Sequence, residues 1–130
     1  MEVERATELE KKLDLVFESC PLEVFDKTKI DIILEMACKL IGATVVATTY
    51  HEFPFPDKTH PEGLTVIKIL SESDLVCHTY PLEEEKRSIT ISISTCGQHT
   101  NPERAIFFLI KELRPQKLWR SFPQWDELKV

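Results

Sequence analysis

A short polar segment between two apolar runs carries the side chains best suited to covalent chemistry. Ser71 and Ser73 flank Glu72, and His78 follows five residues after Ser73. If the chain turns at Glu72–Asp74, the apolar runs pair as two strands, and His78 then lies back near Ser73. A hydroxyl beside a base is the minimum that an activated nucleophile requires. The segment therefore predicts nucleophilic chemistry at Ser73, although such a polar cluster is also typical of an ordinary hairpin turn.

The composition is that of one soluble globular domain. The chain has 130 residues, of which 42% are hydrophobic and 29% are charged, and its formal net charge is -6. We therefore expect a single domain over residues 1–130. The negative charge argues against a nucleic-acid partner, whose surface would need clustered lysine and arginine. The apolar runs are shorter than the ~20 residues that span a bilayer, so we expect no membrane partner.

Cysteine and histidine spacing predicts neither disulfides nor a metal site. The cysteines form no CxxC pair; they are Cys20, Cys38, Cys77 and Cys96. Because a chain of this length does not need disulfides to fold, we expect reduced thiols and a cytoplasmic location. His51, His60 and His99 lack the spacing of metal ligands, and no metal is expected. The charged N-terminal residues do not resemble a signal peptide.

The spacing of apolar residues predicts an α+β domain. Six segments have the pattern of strands: Leu13–Phe17, Thr44–Tyr50, Leu64–Leu70, Leu75–Thr79, Ser88–Thr95 and Lys117–Phe122. A helical period begins at Thr28 and ends before Gly42, and Asn101 with Pro102 starts a second helix. This order predicts a two-layer sandwich with the helices on one face of a largely antiparallel sheet. The proline-rich segment Phe53–Gly63 is expected to be a loop.

Several short motifs follow one another in an order that a known family shares. The principal ones are Ser71-Glu72-Ser73, His78-Thr79-Tyr80-Pro81 and Thr95-Cys96-Gly97. Shorter matches precede them: Gly42-Ala43-Thr44, His51 with Phe53, and Gly63 with Thr65. Over most of its length the chain thus resembles the S-adenosylmethionine decarboxylases of the short prokaryotic type. Those proteins carry Ser-Glu-Ser-His, His-Thr-Trp-Pro-Glu and Thr-Cys-Gly in the same order.

The resemblance implies that the chain makes its own cofactor. The Ser73 hydroxyl attacks the carbonyl of Glu72, and elimination then cuts the chain and leaves Ser73 as an N-terminal pyruvoyl group. By the same resemblance His78 removes the Cα proton during elimination, and Thr65 assists processing. The pyruvoyl ketone forms a Schiff base with the substrate amine and accepts electrons as carbon dioxide leaves. Cys96 matches the residue that returns a proton to the decarboxylated carbon.

The substrate-binding residues match the family less closely. Phe53 falls at the position that stacks on adenine, and Tyr80 replaces a tryptophan but keeps an aromatic ring. Leu82 stands where a glutamate would hold the ribose hydroxyls, and Glu83 is the expected substitute. Asp74 replaces the histidine that follows the processed serine. We therefore expect S-adenosylmethionine as the substrate, with Phe53, Tyr80 and Glu83 binding it.

Three functions are compatible with these motifs. The first is an S-adenosylmethionine decarboxylase that supplies aminopropyl groups for spermidine and other polyamines. The second is a pyruvoyl-dependent decarboxylase of arginine or ornithine, and the third is an uncleaved homologue that binds a ligand without chemistry. Because small chains of this family resemble half of a larger sandwich, we also expect a two-fold homodimer whose sheets pair. The alternation in Ser88–Thr95 supports this, since one sheet face can take the helices and the other a partner.

Overall fold

The structure is a computed structural model that describes residues 10–54, 61–121 and 127–129. The strands and α-helices within these ranges are β1 Lys11–Glu18, α1 Lys27–Ile41, β2 Val45–Phe53, β3 Gly63–Leu70, β4 Ser73–Tyr80, β5 Ser88–Thr95, α2 Ile106–Leu113 and β6 Lys117–Ser121. Short 3₁₀ helices lie at Leu22–Val24, Glu83–Glu85 and Pro102–Ala105. Among these described elements, none is a helix long and apolar enough to cross a membrane.

The strands form one antiparallel sheet in the order β2-β3-β4-β5-β1-β6. The predicted α+β class with a largely antiparallel sheet is therefore confirmed. Several predicted boundaries were wrong, most of all three: β1 begins at Lys11 rather than Leu13, β2 runs to Phe53 rather than Tyr50, and β4 begins at Ser73 rather than Leu75. The missed ends are rich in polar side chains, which a strand tolerates where it is exposed to solvent. Residues 55–60 of the predicted loop lie outside the described residues.

Three helix ends coincide with capping residues, of which Gly42 and Asn101 were predicted and Asp26 was not. The Asp26 side chain accepts a hydrogen bond from the Lys29 amide at the start of α1, and Gly42 ends this helix with φ +88°. The Asn101 side chain accepts from the Glu103 amide ahead of the second helical segment. That segment opens with a 3₁₀ turn and continues as α2. The caps fix the ends of both helices against the sheet.

The sheet has one buried face and one open face, which alternate along each strand. In β5 the buried apolar residues are Ile89, Ile91 and Ile93, and they share a core with Ile30, Leu34 and Ala37 of α1. The intervening residues Ser88, Thr90 and Ser92 are only partly buried. We call the sheet face away from the helices the open face; in the described part of the chain it carries the half-exposed side chains Ile69, Tyr80 and Trp119.

A lysine lies within the helix–sheet interface. Lys68 is 1% exposed, and its Nζ donates to Glu35 Oε1 at 2.8 Å, to Thr48 Oγ1 at 3.2 Å, and to Asp31. Burial lowers the pKa of Lys68, but the hydrogen bonds to Asp31 and Glu35 outweigh it, so the net shift is upward. Lys68 is therefore a buried cation that joins α1 to β2 and β3.

Candidate active site

The turn between β3 and β4 places Ser73 in an unusual backbone conformation. Ser71 and Glu72 form the turn, and Ser73 already pairs with Leu70 as the first residue of β4. Ser73 has φ +145°, whereas the other non-glycine residues with positive φ in the described ranges have values of 43–57°. A residue with a side chain rarely adopts this region, at a cost of about 1–3 kcal/mol. The backbone is thus strained at Ser73, directly after the peptide bond that joins it to Glu72.

The carbonyl oxygen of Glu72 accepts two hydrogen bonds from Cys96. The Cys96 amide donates at 2.9 Å, and the Cys96 Sγ lies 3.3 Å from the same oxygen. This carbonyl belongs to the peptide bond that joins Glu72 to Ser73. Two donors on one carbonyl oxygen polarise it and can stabilise negative charge that develops there. The arrangement suits attack on the Glu72 carbonyl carbon by a neighbouring nucleophile.

The Glu72 side chain is held as firmly as its carbonyl. Oε1 accepts from the Thr44 amide at 2.9 Å, and Oε2 lies 3.0 Å from His99 Nε2. The hydrogen bond from the Thr44 amide is the largest of the causes that lower the pKa of Glu72 to about 2, and the hydrogen bond with His99 is the second largest. The carboxylate is therefore ionised at neutral pH. We call Thr44, Glu72, Cys96 and His99 the Glu72 cluster; sequence reasoning had not included Thr44 or His99.

His78 does not lie near Ser73, and this part of the prediction was wrong. The turn consists of Ser71 and Glu72, and β4 begins at Ser73 rather than Leu75, so β4 carries His78 away from Ser73 by roughly 17 Å at about 3.3 Å per residue. His78 instead pairs with Thr65 across β3 and β4, and its Nδ1 lies 2.9 Å from Thr65 Oγ1. The two residues predicted to assist processing thus meet each other, at a distance from the serine.

His78 and Thr65 line a cavity of about 330 Å³ on the open face. Phe53 and Tyr80, the predicted stacking residues, line the same cavity. Their side chains are partly exposed, at 51% for Phe53 and 39% for Tyr80. A concave site of this size with aromatic walls and a few polar groups is typical of small-molecule binding. We call it the His78 cavity.

The carboxylate that lines the His78 cavity is Glu85, not Glu83. Glu83 lines a separate cavity with Lys86, Arg87 and Arg114. Both glutamates lie on the short 3₁₀ helix, whose three residues per turn point side chains two positions apart in different directions. The expectation that Glu83 joins Phe53 and Tyr80 is therefore not met. Sequence reasoning missed Glu85 because nothing in a run of three glutamates distinguishes its members.

Potential metal ligands do not cluster in the described part of the chain. Within residues 10–54, 61–121 and 127–129, no three histidine, cysteine, aspartate or glutamate side chains converge to hold a metal ion. The candidate residues therefore fall into two groups, the Glu72 cluster and the His78 cavity. The first holds a strained, polarised peptide bond, and the second holds a base and aromatic walls.

Comparison with known proteins agrees with these motifs. The family model of S-adenosylmethionine decarboxylase matches residues 15–120, so the chain belongs to this family. A similar protein is the S-adenosylmethionine decarboxylase proenzyme of Methanococcus maripaludis strain C5, which is 33% identical over 109 residues. The match covers 80% of this chain and 82% of the relative. The corresponding proenzyme of Parasynechococcus marenigrum is 32% identical over 108 residues, covering 82% and 77%.

A solved structure shares the fold. The crystal structure of the adenosylmethionine decarboxylase from Aquifex aeolicus superposes with a TM-score of 0.74 and covers 94% of each chain. Sequence identity between the two is 23%, so this likeness concerns the fold alone. The six-stranded sheet with its two helices is thus a known arrangement in this family.

Proposed function

We propose that this chain is a self-processing S-adenosylmethionine decarboxylase that cleaves itself between Glu72 and Ser73. The observation that carries the proposal is the Glu72 carbonyl, which accepts two hydrogen bonds from Cys96 and precedes a serine with φ +145°. An ordinary hairpin turn needs neither feature. Membership of the S-adenosylmethionine decarboxylase family, whose named relatives are proenzymes, supports the same function.

The first step is an acyl shift from nitrogen to oxygen. The Ser73 Oγ bonds to the carbonyl carbon of Glu72, the bond from that carbon to the Ser73 nitrogen breaks, and the nitrogen takes the hydroxyl proton. Between addition of Oγ and loss of the nitrogen, negative charge develops on the Glu72 carbonyl oxygen, where the Cys96 amide and thiol donate. Strain at Ser73 also favours this step. Once the bond between the Glu72 carbonyl carbon and the Ser73 nitrogen breaks, the Ser73 backbone is no longer held at the unusual φ.

The second step needs a base at the Cα proton of Ser73. Loss of that proton breaks the Cβ–Oγ bond of residue 73, releases the new α-carboxylate of Glu72 and separates the two pieces. The dehydroalanine left at position 73 then takes up water and releases ammonia to become the pyruvoyl group. On the same chain His78 is roughly 17 Å away along β4, too far for proton transfer. The predicted two-fold homodimer resolves this distance, because each site in it can combine Ser73 and Cys96 of one subunit with His78 of the partner subunit.

The open face supports this dimer. His78, Thr65, Phe53 and Tyr80 all lie on it, and it carries half-exposed apolar side chains. A sheet face with both apolar and hydroxyl side chains is suited to pairing with a second copy. The proposal thus assigns His78 and Thr65 to the neighbouring subunit's processing, with Thr65 orienting the imidazole ring through its hydroxyl.

For the decarboxylation itself, the residues of the His78 cavity and Cys96 have separate roles. Phe53 and Tyr80 offer aromatic faces for the adenine ring and for the sulfonium cation, and a desolvated cation–π contact contributes about 2 kcal/mol. Glu85 is the carboxylate placed to accept hydrogen bonds from the ribose hydroxyls. A pyruvoyl group derived from Ser73 would supply an electron sink when carbon dioxide leaves. Cys96 then delivers a proton from Sγ to the carbon that lost the carboxylate.

An intact-mass time course with matched substrates tests the proposal. Purified protein should resolve into residues 1–72 and 73–130, whereas Ser73→Ala should stay whole. Processed protein should release carbon dioxide from S-adenosylmethionine faster than from arginine or ornithine, and Phe53→Ala should raise KM for S-adenosylmethionine. A protein that stays whole on long incubation would be an uncleaved binding homologue. Faster release from either amino acid would instead identify an amino-acid decarboxylase.

A further inference from the structure

His99 has no part in the steps above, yet two glycines leave space for its ring and backbone. The two glycines with positive φ in the described residues, Gly42 and Gly97, both adjoin it. A Cβ added to Gly97 would lie 2.9 Å from the His99 ring, and one added to Gly42 would lie 2.6 Å from the His99 carbonyl oxygen. Side chains at either position would displace His99. The two glycines therefore leave space that the His99 ring and backbone fill.

The loop that carries His99 is tied down on its other side. Lys11 Nζ donates to the carbonyl oxygen of Gly97 at 3.0 Å and to that of Thr100 at 2.6 Å. The Thr100 hydroxyl donates in turn to the Cys96 carbonyl at 3.1 Å. The loop from Cys96 to Thr100 is thus held in one conformation, although the His99 side chain is 61% exposed. An exposed histidine on a fixed loop is positioned for a contact rather than for packing.

That contact is the Glu72 carboxylate. With the Thr44 amide on Oε1 and His99 Nε2 on Oε2, the side chain of Glu72 is anchored at both oxygens. The same residue presents its carbonyl oxygen to Cys96. Because side chain and carbonyl share one Cα, an anchored carboxylate limits how far the carbonyl can rotate from the Cys96 donors. His99 therefore acts on the peptide bond before Ser73 through Glu72.

We propose that His99 is a positioning residue for self-cleavage: by holding the Glu72 carboxylate, it keeps the Glu72 carbonyl directed at Cys96. This role rests on the self-processing function proposed above. His99 is not among the residues that line the His78 cavity. We therefore expect loss of His99 to slow formation of the processed enzyme and to leave binding of S-adenosylmethionine in the His78 cavity unchanged.

Two amide substitutions distinguish this role from a structural one. The amide nitrogen of His99→Gln can occupy the position of His99 Nε2, the atom that contacts Glu72. The amide nitrogen of His99→Asn can occupy only the position of Nδ1, because the asparagine side chain is too short to reach Glu72. Both variants are polar and suit an exposed loop. The proteins are made by cell-free synthesis, and cleavage is followed by intact mass from the full-length chain. We expect His99→Asn to cleave about tenfold more slowly and His99→Gln to stay within about threefold of wild type.

The kinetics of the processed fraction complete the test. The KM of fully cleaved His99→Asn for S-adenosylmethionine should equal that of wild type, because His99 does not line the His78 cavity. Wild-type protein that cleaves no faster than His99→Asn overturns the positioning role alone. Equal slowing by His99→Asn and His99→Gln also overturns it, because the reach of the side chain would then be irrelevant. Wild-type protein that never cleaves overturns the self-processing function, and with it this role.

Discussion

The imidazole of His78 contacts the hydroxyl of Thr65, with Nδ1 2.9 Å from Oγ1, on neighbouring strands of one sheet. The pair lies at the far end of β4 from Ser73. A base and the serine that it is expected to serve are therefore separated on a single chain. This separation makes the origin of the base an experimental question.

A mixed dimer answers that question. A chain with Ser73→Ala cannot cleave but retains His78, whereas a chain with His78→Ala retains Ser73 but lacks the base. We expect the His78→Ala chain to stay whole alone and to cleave when co-expressed with the Ser73→Ala chain, because the partner then supplies the imidazole. Different affinity tags isolate the heterodimer, and intact mass reports cleavage. If the His78→Ala chain remains whole in a purified heterodimer, the base does not cross between subunits.

Cys96 should affect processing and turnover to different extents. Cys96→Ala removes the thiol but keeps the backbone amide that donates to Glu72, so cleavage should slow by about tenfold rather than stop. Decarboxylation by the processed variant should fall by 10²–10⁴-fold, as expected when a general acid is lost. Cys96→Ser, which retains a donor, is the matched control and should cleave faster than Cys96→Ala. Wild-type turnover in Cys96→Ala would remove the thiol from the mechanism.

The low pKa of Glu72 makes part of the stability dependent on pH. Hydrogen bonds from Thr44 and then His99 lower the pKa of Glu72 from 4.5 to about 2 in the folded state. A depressed pKa stabilises the fold above the unfolded value, and this contribution is lost as pH falls from about 4.5 toward 2. In a Ser73→Ala background, urea midpoints should show Glu72→Gln less stable at pH 7 and the gap closing near pH 3. A gap that stays constant over this range would contradict the assigned pKa.

Glu85 and Glu83 form a natural pair for testing substrate recognition. Glu85→Gln should raise KM for S-adenosylmethionine by about tenfold, because a charged acceptor for the ribose hydroxyls is lost. Glu83→Gln should stay within about twofold of wild type, since Glu83 lines a different cavity. Steady-state carbon dioxide release measures both. The reverse order of effects would return the ribose role to Glu83.

Lys68 should be sensitive to truncation. Lys68→Ala removes a buried side chain and leaves the partly exposed carboxylates of Asp31 and Glu35 without their cation, and we expect a loss of about 1–3 kcal/mol in the free energy of unfolding. Lys68→Met retains the apolar stem and should lose less. Urea denaturation of both variants in the Ser73→Ala background measures the difference. Equal stability of Lys68→Ala and the parent would show that the pairs contribute nothing.

Local patterns allowed the elements to be predicted, whereas long-range placement could not be. The period-two alternation of β5 gave its bounds correctly, and Gly42 and Asn101 mark helix ends where they were predicted. The insertion of β1 between β5 and β6 depends on contacts between distant segments and leaves no local pattern. The burial of Lys68 could not be predicted either, because its partners Asp31 and Glu35 lie more than 30 residues away in the sequence.

At the candidate site, the position of the turn between β3 and β4 decided the outcome. The order of motifs predicted that Ser73, Cys96 and His78 belong to one site. The contact between Glu72 and Cys96 does bring the Ser71-Glu72-Ser73 and Thr95-Cys96-Gly97 motifs together. The separation of His78 from Ser73 follows from where β4 starts, which polar residues on either side of a turn do not determine. His99 was seen only as a histidine without metal-ligand spacing.

The sheet order has a consequence for the life of the enzyme after cleavage. A cut between Glu72 and Ser73 leaves β1, β2 and β3 on one piece and β4, β5 and β6 on the other, and β1 lies between β5 and β6. The pieces are interlaced, so neither can leave without opening hydrogen-bonded ladders on both sides of β1 as well as the ladder between β3 and β4. An unfolded mature enzyme must then reassemble by bimolecular encounter, whereas the uncut chain folds as one molecule. If the chain cleaves as proposed, folding must precede maturation, because only the uncut chain folds as one molecule.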